Sequence, residues 1–219
     1  MNHVVIVAGG SGIRMGADVP KQFLVVAGLP ILMHTISKMH EALPEATVTL
    51  VLPQSQIEHW NSLVDQFNFA IDHQVVSGGS SRTKSVKNGL EAIKGEDGIV
   101  GIHDGVRPCF SLEMIRRCFA TALEKGNAIP TVAVIPSLRR VEGDTSMAVD
   151  REMYRAIQTP QCFRLSEVRH AYSKVDSTHS DDASLMESLD HKMNLVEGDQ
   201  NNIKVTYPLD VKLVEMLLS

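Results

Sequence analysis

Two cations near the start of the chain, Arg14 and Lys21, lie within and just after a glycine-rich segment at residues 9–16. Glycine lets backbone N–H groups approach an anionic ligand closely, and the two side chains add full positive charges beside that segment. This combination predicts a pocket for a polyphosphate. The alternative is a tight connection between a strand and a helix that is rich in glycine for packing reasons alone.

The glycine spacing argues against two common phosphate-binding loops. The dinucleotide fingerprint G-x-G-x-x-G fails because Met15 stands where its third glycine belongs, and no G-x-x-x-x-G-K-[ST] string follows a strand. A nicotinamide-dependent oxidoreductase is also disfavoured, because Pro53 and Gln54 follow the second predicted strand where an acid would bind a ribose. The segment therefore fits neither class.

A second group of charged residues, Asp104 and Arg107, follows a predicted central strand at residues 99–102. Open α/β sheets bind ligands at the carboxyl ends of parallel strands, so Asp104 is expected at the same edge as the glycine-rich segment. It is predicted to bind ribose hydroxyls, to hold the substrate or to help hold magnesium on a triphosphate, with helix capping as the alternative. Arg107 is placed to meet a phosphate-bearing substrate or to pair with Asp104. Lys204, just before the last predicted helix, could reach the same crevice.

Two polar turns open predicted helices. Gly78 and Gly79 precede a helix at residues 81–94, whose first N–H groups would attract an electron-rich ligand. The spacing alone does not decide between a base, a phosphate and a simple helix cap. Asp181 and Asp182 suggest either a metal ligand or a capped helix start, and capping is favoured because acids are common in a first helical turn.

Apolar runs typical of strands alternate with helical patterns along the chain, which predicts an open, Rossmann-like α/β sheet, mostly parallel, with helices on both faces. The first run, at residues 3–8, shows no polar alternation and predicts a strand buried on both sides. In the helix at residues 112–125, Ile115, Cys118, Phe119 and Ala122 share one face. The remaining strands are predicted at residues 48–52, 71–76, 128–135 and 193–197, and the remaining helices at residues 30–41, 55–66, 165–175 and 208–218.

A polar hairpin interrupts this alternation at about residues 136–154. It carries few core residues and cannot bury itself, so it is predicted to project as an arm that packs on a partner subunit. We found no interdomain linker, and we expect residues 1–219 to form a single domain with this arm.

Composition restricts the class of protein. The chain has 219 residues, is 43% hydrophobic and carries a formal net charge of −5, which argues against nucleic acid as the main partner. No segment approaches the roughly 20 apolar residues of a membrane helix, so a cytoplasmic protein without membrane contact is expected. The three cysteines form no C-x-x-C pair and the nine histidines show no H-x-x-x-H spacing, so no zinc site is predicted.

Seven motifs occur along the chain in the order A-G-G-x-G-x-R-M with P-K-Q, S-G-G-x-x-R with S-V, H-D-x-x-R-P, D-R, Q-T-P-Q-x-F, D-D-A-S and N-I-K-V-T. Together they resemble the 2-C-methyl-D-erythritol 4-phosphate cytidylyltransferase family, which is of the sugar-nucleotide pyrophosphorylase type, over nearly the whole chain. The resemblance implies transfer of CMP from CTP to methylerythritol 4-phosphate, with release of pyrophosphate, in the non-mevalonate isoprenoid pathway. It also implies a homodimer formed through the hairpin arm and Mg²⁺ carried with CTP, and no residue is assigned as a dedicated metal ligand.

The resemblance also implies roles for individual residues. Arg14 and Lys21 would stabilise charge on the α-phosphate of CTP, while Arg151 and Lys204 would position the polyol phosphate, Arg151 in the partner subunit's site. The residues that would hold CTP are Ala8, Gly9, Gly10, Ser11, Gly12, Arg14, Met15, Lys21, Gly78, Gly79, Arg82, Ser85 and Asp104. The residues that would bind the polyol phosphate are Asp104, Arg107, Ser137, Arg151, Thr159 and Lys204.

Two other functions stay open at this point. A ribitol-5-phosphate cytidylyltransferase would share the loop and a similar arm, and the chain has Gly105 where the family often has alanine and no acid in residues 134–137. A non-catalytic nucleotide sensor is the alternative of another class. It is disfavoured because binding alone would not need cations on both sides of the α-phosphate.

Overall fold

The chain alternates between strands and helices along most of its length. The computed structural model describes residues 1–9, 19–174 and 179–219. In chain order the elements are β1 (Asn2–Val7), β2 (Val25–Val26), β3 (Leu29–Pro30), α1 (Ile31–Ala42), β4 (Thr47–Leu52), α2 (Gln54–Gln66), β5 (Gln74–Ser77), α3 (Arg82–Ala92), β6 (Ile99–Asp104), α4 (Leu112–Lys125), β7 (Asn127–Ala133), β8 (Leu138–Glu142), β9 (Thr145–Val149), β10 (Arg155–Ile157), β11 (Gln161–Arg164), α5 (Leu165–Lys174), α6 (Asp182–Glu187), β12 (Leu195–Glu197) and α7 (Pro208–Leu218).

One eight-stranded sheet forms the centre of the fold, in the order β10, β7, β11, β6, β1, β4, β5, with β12 paired to β7. β1 is parallel to β4 and to β6, and β4 is parallel to β5. β11 runs antiparallel to its neighbours β6 and β7, and β10 runs antiparallel to β7. The predicted mostly parallel sheet is therefore confirmed, with an antiparallel insertion that no local pattern indicated.

Helices cover both faces of this sheet, as the alternation of elements predicts. On β1, Val4 and Ile6 belong to the core cluster under α1, α2 and α4, while Val5 belongs to the cluster under α3, α5 and α6. All three side chains are fully buried. A strand with helices on both sides has no solvent face, which is why β1 is apolar throughout its centre instead of alternating.

The carboxyl ends of the parallel strands bring distant segments to one edge of the sheet. Val7 pairs with Asp104 and Leu52 pairs with Ser77, so β1, β6, β4 and β5 end at similar levels. Ala8 follows β1 directly, and the glycine turn follows β5. This edge therefore collects the segments that the sequence analysis assigned to a ligand crevice.

Two glycines allow elements to pack closely near this edge. A Cβ atom on Gly105 would lie 2.9 Å from both the Ala8 Cβ and the Leu32 Cδ1. A Cβ atom on Gly89 in α3 would lie 2.6 Å from the Val5 Cγ1. Contacts this short would overpack the interior, so the close packing at both positions depends on glycine.

All six predicted strands are present with shifted ends, and the shifts of β5 and β6 bear on the core and on the ligand edge. β5 begins at Gln74, because the preceding Ile71 packs against the cluster under α1, α2 and α4 before pairing with β4 begins. β6 continues to Asp104, so this residue ends the strand instead of following it. The bounds of α4 and α7 are those predicted.

The predicted hairpin is present as a separate two-stranded sheet of β8 and β9, paired from Leu138 with Val149 to Glu142 with Thr145. Its apolar side chains stay in solvent, with Val141 69% and Met147 56% exposed. Packing of this hairpin on a partner subunit stays a prediction.

Composition led to expectations about cysteines, metals and membranes. Cys109, Cys118 and Cys162 are free and buried. Within the described ranges, no helix is both long and apolar enough to cross a membrane. Among the same residues, no group of three or more His, Cys, Asp or Glu side chains is arranged to hold a metal ion.

Candidate active site

Two adjoining clefts open at the carboxyl edge of the sheet. The first, of about 390 Å³, lies between the end of β1, the turn at Lys21 and the glycine turn before α3. The second, of about 290 Å³, lies between the end of β6, the β10–β11 connection and the start of α6. Arg82, Asp104 and Lys204 line both clefts. Of the other predicted residues, the first cleft contains Ala8, Gly9, Lys21, Gly78, Gly79 and Ser85, and the second contains Arg107 and Thr159.

Hydroxyl groups hold the glycine turn at the start of α3. Ser81 is the N-cap of α3, and its Oγ accepts from the Lys84 N–H at 3.2 Å. The Ser85 Oγ accepts from the Gly79 N–H at 3.1 Å and donates to the Ser81 carbonyl at 2.8 Å. A Cβ atom on Gly79 would lie 2.4 Å from the Lys84 Cβ, so the turn requires glycine there. The turn is thus a capped helix start that also forms a wall of the first cleft.

Lys21 presents a largely buried ammonium group to the first cleft. The residue is 8% exposed, and its Nζ donates to the backbone carbonyl of Val205 at 2.7 Å. The next residue, Gln22, donates from Nε2 to the carbonyl of Ala8 at 2.9 Å. The P-K-Q segment therefore fixes the end of β1 and ties Lys21 to the segment that carries Lys204.

Asp104 is the charged centre at which the two clefts meet. Its Oδ2 lies 3.0 Å from the Lys204 Nζ and 3.0 Å from the Arg107 Nε. Burial alone would raise the pKa of Asp104, but Lys204, Arg107 and Arg82 hold that pKa well below its usual range. Of the two partners that the sequence left open for Arg107, this structure shows the pair with Asp104. The Lys204 side chain is 43% exposed and stays accessible to a ligand.

His103, which the sequence analysis did not assign to a role, connects the residues around Asp104. Burial lowers the pKa of His103 to about 4, so the ring is neutral. Its Nε2 faces the Arg107 carbonyl at 3.1 Å and therefore carries the proton, which leaves Nδ1 to accept from the Thr159 hydroxyl at 3.2 Å. The same hydroxyl accepts from the Asp104 N–H at 3.1 Å. Thr159 lines the second cleft, but its hydroxyl proton is used within the protein.

This buried histidine should make the stability of the fold depend on pH. The pKa of His103 is about 4 in the folded chain and 6.5 as its ordinary value, so the unfolded chain binds one more proton between these two pH values. Its contribution is complete above pH 6.5 and decreases as the pH falls toward 4. We expect the free energy of unfolding to fall by about 3 kcal/mol more in the wild type than in His103→Gln between pH 7 and pH 4.

Urea unfolding at intervals over this pH range measures the difference between the two curves. His40→Gln, which removes an exposed histidine at the end of α1, is the control for loss of a histidine. Parallel curves for the wild type and His103→Gln would contradict the buried, neutral state of His103.

The two adjacent acids at the start of α6 have different partners. Asp181 caps the helix and accepts from the Ser184 N–H at 3.0 Å and from the Gln161 Nε2 at 2.8 Å. The favoured capping interpretation is thus confirmed for Asp181. Asp182 is fully buried and forms an ion pair with Arg82 at 2.7 Å, a partner that no local pattern could reveal.

Several predicted residues lie elsewhere. Ser137 is exposed in the connection before β8 and lines neither cleft of its own chain. Arg151 is exposed at the base of the hairpin. Its Nη1 donates to the Ile135 carbonyl, and its Nε lies 3.7 Å from the Glu152 Oε1. Gly10, Ser11, Gly12, Arg14 and Met15 lie outside the described residues.

Comparison with known proteins gives consistent matches over the whole chain. Residues 2–219 match the family model of 2-C-methyl-D-erythritol 4-phosphate cytidylyltransferase. The protein of that name from Phocaeicola vulgatus is 43% identical over 217 residues, which cover 99% of each chain. The crystal structure of 4-diphosphocytidyl-2C-methyl-D-erythritol synthase from Anaerococcus prevotii has a TM-score of 0.84 at 25% identity, covering 99% of this chain and 95% of that one. The 2-C-methyl-D-erythritol 4-phosphate cytidylyltransferase of Thermus thermophilus has a TM-score of 0.76 at 28% identity, covering 98% of this chain and 97% of that one.

Proposed function

The chain belongs to the 2-C-methyl-D-erythritol 4-phosphate cytidylyltransferase family, and from this premise we propose that it transfers CMP from CTP to 2-C-methyl-D-erythritol 4-phosphate. The products are the cytidine diphosphate ester of methylerythritol and pyrophosphate, in the synthesis of isoprenoid precursors. The protein is accordingly a nucleotidyltransferase.

One observation carries the proposal at the level of the site: two clefts meet at a shared wall of Arg82, Asp104 and Lys204. A nucleotide in the first cleft and a polyol phosphate in the second would therefore approach each other at this wall. Holding two reactants in contact replaces a bimolecular encounter with a step between bound partners. A protein that only bound CTP would need one such cleft.

The reaction is a substitution at phosphorus. A phosphate oxygen of the polyol phosphate forms a bond to the α-phosphorus of CTP, while the bond from that phosphorus to the oxygen bridging the β-phosphate breaks. Pyrophosphate leaves with this oxygen and the electron pair. The nucleophile is already an anion and needs no general base, so the main obstacle is repulsion between two polyanions. We assign Lys21 and Arg14 to the charge on the α-phosphate, and Lys204 to the polyol phosphate.

The donor set of the first cleft fits a magnesium ion that arrives on the triphosphate. Asp104 is the one carboxylate among the described residues that line this cleft, and its Oδ2 is already paired with two cations. Mg²⁺ is commonly held by substrate phosphates, water and one or two carboxylates. When bound, it supplies positive charge to the phosphate oxygens, while the protein orients the reactants.

A homodimer would explain the position of Arg151. This side chain is 47% exposed and lies outside both clefts of its own chain, at the base of the hairpin. The hairpin and the segments beside it in sequence carry exposed apolar side chains that would be unfavourable in a monomer: Ile135, Val141, Met147, Met153, Tyr154 and Ile157. We assign these side chains to contact with a second copy of the chain, and Arg151 to the phosphate bound by that copy.

We also place the protein in the cytoplasm. Its three buried, free cysteines support a reducing compartment, in which thiols stay unpaired.

The test is pyrophosphate release from CTP and Mg²⁺, measured in parallel with methylerythritol 4-phosphate and with ribitol 5-phosphate. We expect release with the first and at most slow release with the second. Preference for ribitol 5-phosphate would move the protein to another polyol phosphate with the same mechanism. Tight CTP binding without release from either mixture would refute the transferase and support the nucleotide sensor.

A further inference from the structure

Arg82 is a predicted CTP ligand whose charge is already paired inside the protein. Its Nη1 and Nη2 donate to the two carboxylate oxygens of Asp182, at 2.8 and 2.7 Å. The Arg82 side chain is 28% exposed, whereas the Asp182 side chain is fully buried. Both terminal nitrogens of the guanidinium group therefore bind a carboxylate that has no access to water.

Tyr172 completes this cluster from α5. Its hydroxyl donates to the Asp182 Oδ1. Burial and the neighbouring Asp182 raise the pKa of Tyr172, so the hydroxyl stays protonated and remains a donor. Asp182 thus receives hydrogen bonds from Arg82 on α3 and from Tyr172 on α5. Of these two partners, Arg82 is the one that carries a positive charge to balance the carboxylate.

If Arg82 turned toward a phosphate, Asp182 would be left as a buried, unpaired charge. Breaking a buried ion pair in this way is strongly unfavourable, whereas the intact pair is fixed in a bidentate geometry. The pair also carries no net charge, so it adds little attraction for the triphosphate. Arg82 is therefore poorly suited to act as a free cation in the first cleft.

The pair instead joins the walls of the two clefts, through two residues that are 100 positions apart in sequence. Arg82 is the first residue of α3, directly after the turn that contains Gly79 and the cap Ser81. Asp182 is the first residue of α6, directly after Asp181, which lines the second cleft. Fixing Arg82 on Asp182 fixes the nucleotide-side turn relative to the wall of the second cleft.

We propose that Asp182, supported by Tyr172, is a positioning residue for the nucleotide site. It acts through Arg82 and fixes the position of the glycine turn before α3 relative to α6. The inference rests on the proposed function in taking CTP as the ligand of the first cleft. In this arrangement the forked geometry of the pair, and not the positive charge of Arg82, determines CTP affinity.

Two conservative variants separate geometry from charge. Asp182→Asn keeps the volume and frees the charge of Arg82, and Arg82→Lys keeps the charge but cannot form the bidentate pair. We expect each to raise the Kd for CTP about tenfold by titration calorimetry. The double variant should cost no more than either single one, because both remove the same interaction. Glu187→Gln, an exposed acid at the other end of α6, is the matched control and should leave the Kd unchanged.

Opposite results would overturn the inference. If Arg82 binds the triphosphate directly by its charge, Asp182→Asn will leave the affinity for CTP unchanged or increase it, and Arg82→Lys will retain it. If the pair only stabilises the fold, the melting temperature of Asp182→Asn will fall while the Kd, measured well below that temperature, will equal the wild-type value.

A variant that leaves the ion pair in place covers the case in which Asp182→Asn does not fold. Tyr172→Phe removes only the hydroxyl that donates to Asp182 and should raise the Kd for CTP about threefold. A Tyr172→Phe chain with wild-type affinity would count against the inference. Wild-type chain that binds CTP but releases no pyrophosphate would refute the proposed reaction, while the binding comparison among variants would still decide the role of Asp182.

Discussion

Replacing Lys21 with alanine is expected to lower kcat by about 10²–10³-fold while the fold stays intact. The Lys21 ammonium is largely buried and held by the Val205 carbonyl at 2.7 Å, so its position is set before any substrate binds. A charge that is already oriented and shielded from water stabilises a developing anion without reorganising at the moment of reaction. Steady-state pyrophosphate release gives kcat, and circular dichroism with thermal unfolding checks the fold.

Lys125→Ala is the matched control for Lys21→Ala. Lys125 is an exposed lysine at the carboxyl end of α4, away from both clefts, and its loss should change neither kcat nor the Kd for CTP. A folded Lys21→Ala chain with turnover near that of Lys125→Ala would remove Lys21 from the proposed mechanism.

Arg151→Ala should lower kcat/KM by about 10²-fold, and mixing it with Lys21→Ala should restore activity that neither variant has alone. The reason is geometric: Arg151 lies outside the clefts of its own chain, so in a dimer each site would combine Lys21 of one subunit with Arg151 of the other. In a mixed dimer one site then carries both defects and the other carries none. Random pairing of equal amounts makes half of the dimers mixed, so about a quarter of wild-type activity should return.

The measurement is pyrophosphate release after the two variants are unfolded and refolded together. Refolding Lys21→Ala with a Lys21→Ala/Arg151→Ala double variant is the control, since no mixed dimer of this pair has an intact site. If Arg151 serves its own subunit, the mixture will show no more activity than its components. A scattering mass near that of one 24.0 kDa chain would contradict the shared site altogether.

Local sequence patterns predicted the helices and strands whose own apolar residues show which face is buried. Ile115, Cys118, Phe119 and Ala122 were expected on one face of α4, and all four are buried. The unbroken apolar run of β1 predicted a strand covered on both sides, because each alternate side chain needs a core to face. The predicted β5 began too early, at Ile71. This residue packs against the core cluster that includes α2, whereas pairing with β4 begins only at Gln74.

The contacts that organise the clefts could not be predicted in this way, because their partners are distant in sequence. Lys21 donates to a carbonyl 184 residues away, and a backbone carbonyl has no signature in the sequence. Asp182 looked like a second acid in a helical turn, and its pair with Arg82 exists because α3 and α6 both cover the same face of the sheet. His103 stood beside Asp104 in a recognisable motif, which is the signal that could have drawn attention to it.

The shared wall of Arg82, Asp104 and Lys204 has a consequence for ligand design. Because the two clefts adjoin, a short linker could join a cytidine phosphate group to a polyol phosphate group within one molecule. Once the first group is bound, the second meets its cleft at an effective concentration of about millimolar or above, independent of the concentration in solution. Joined ligands should therefore gain more affinity than improved analogues of either substrate, provided that the linker spans the wall without separating Lys204 from Asp104.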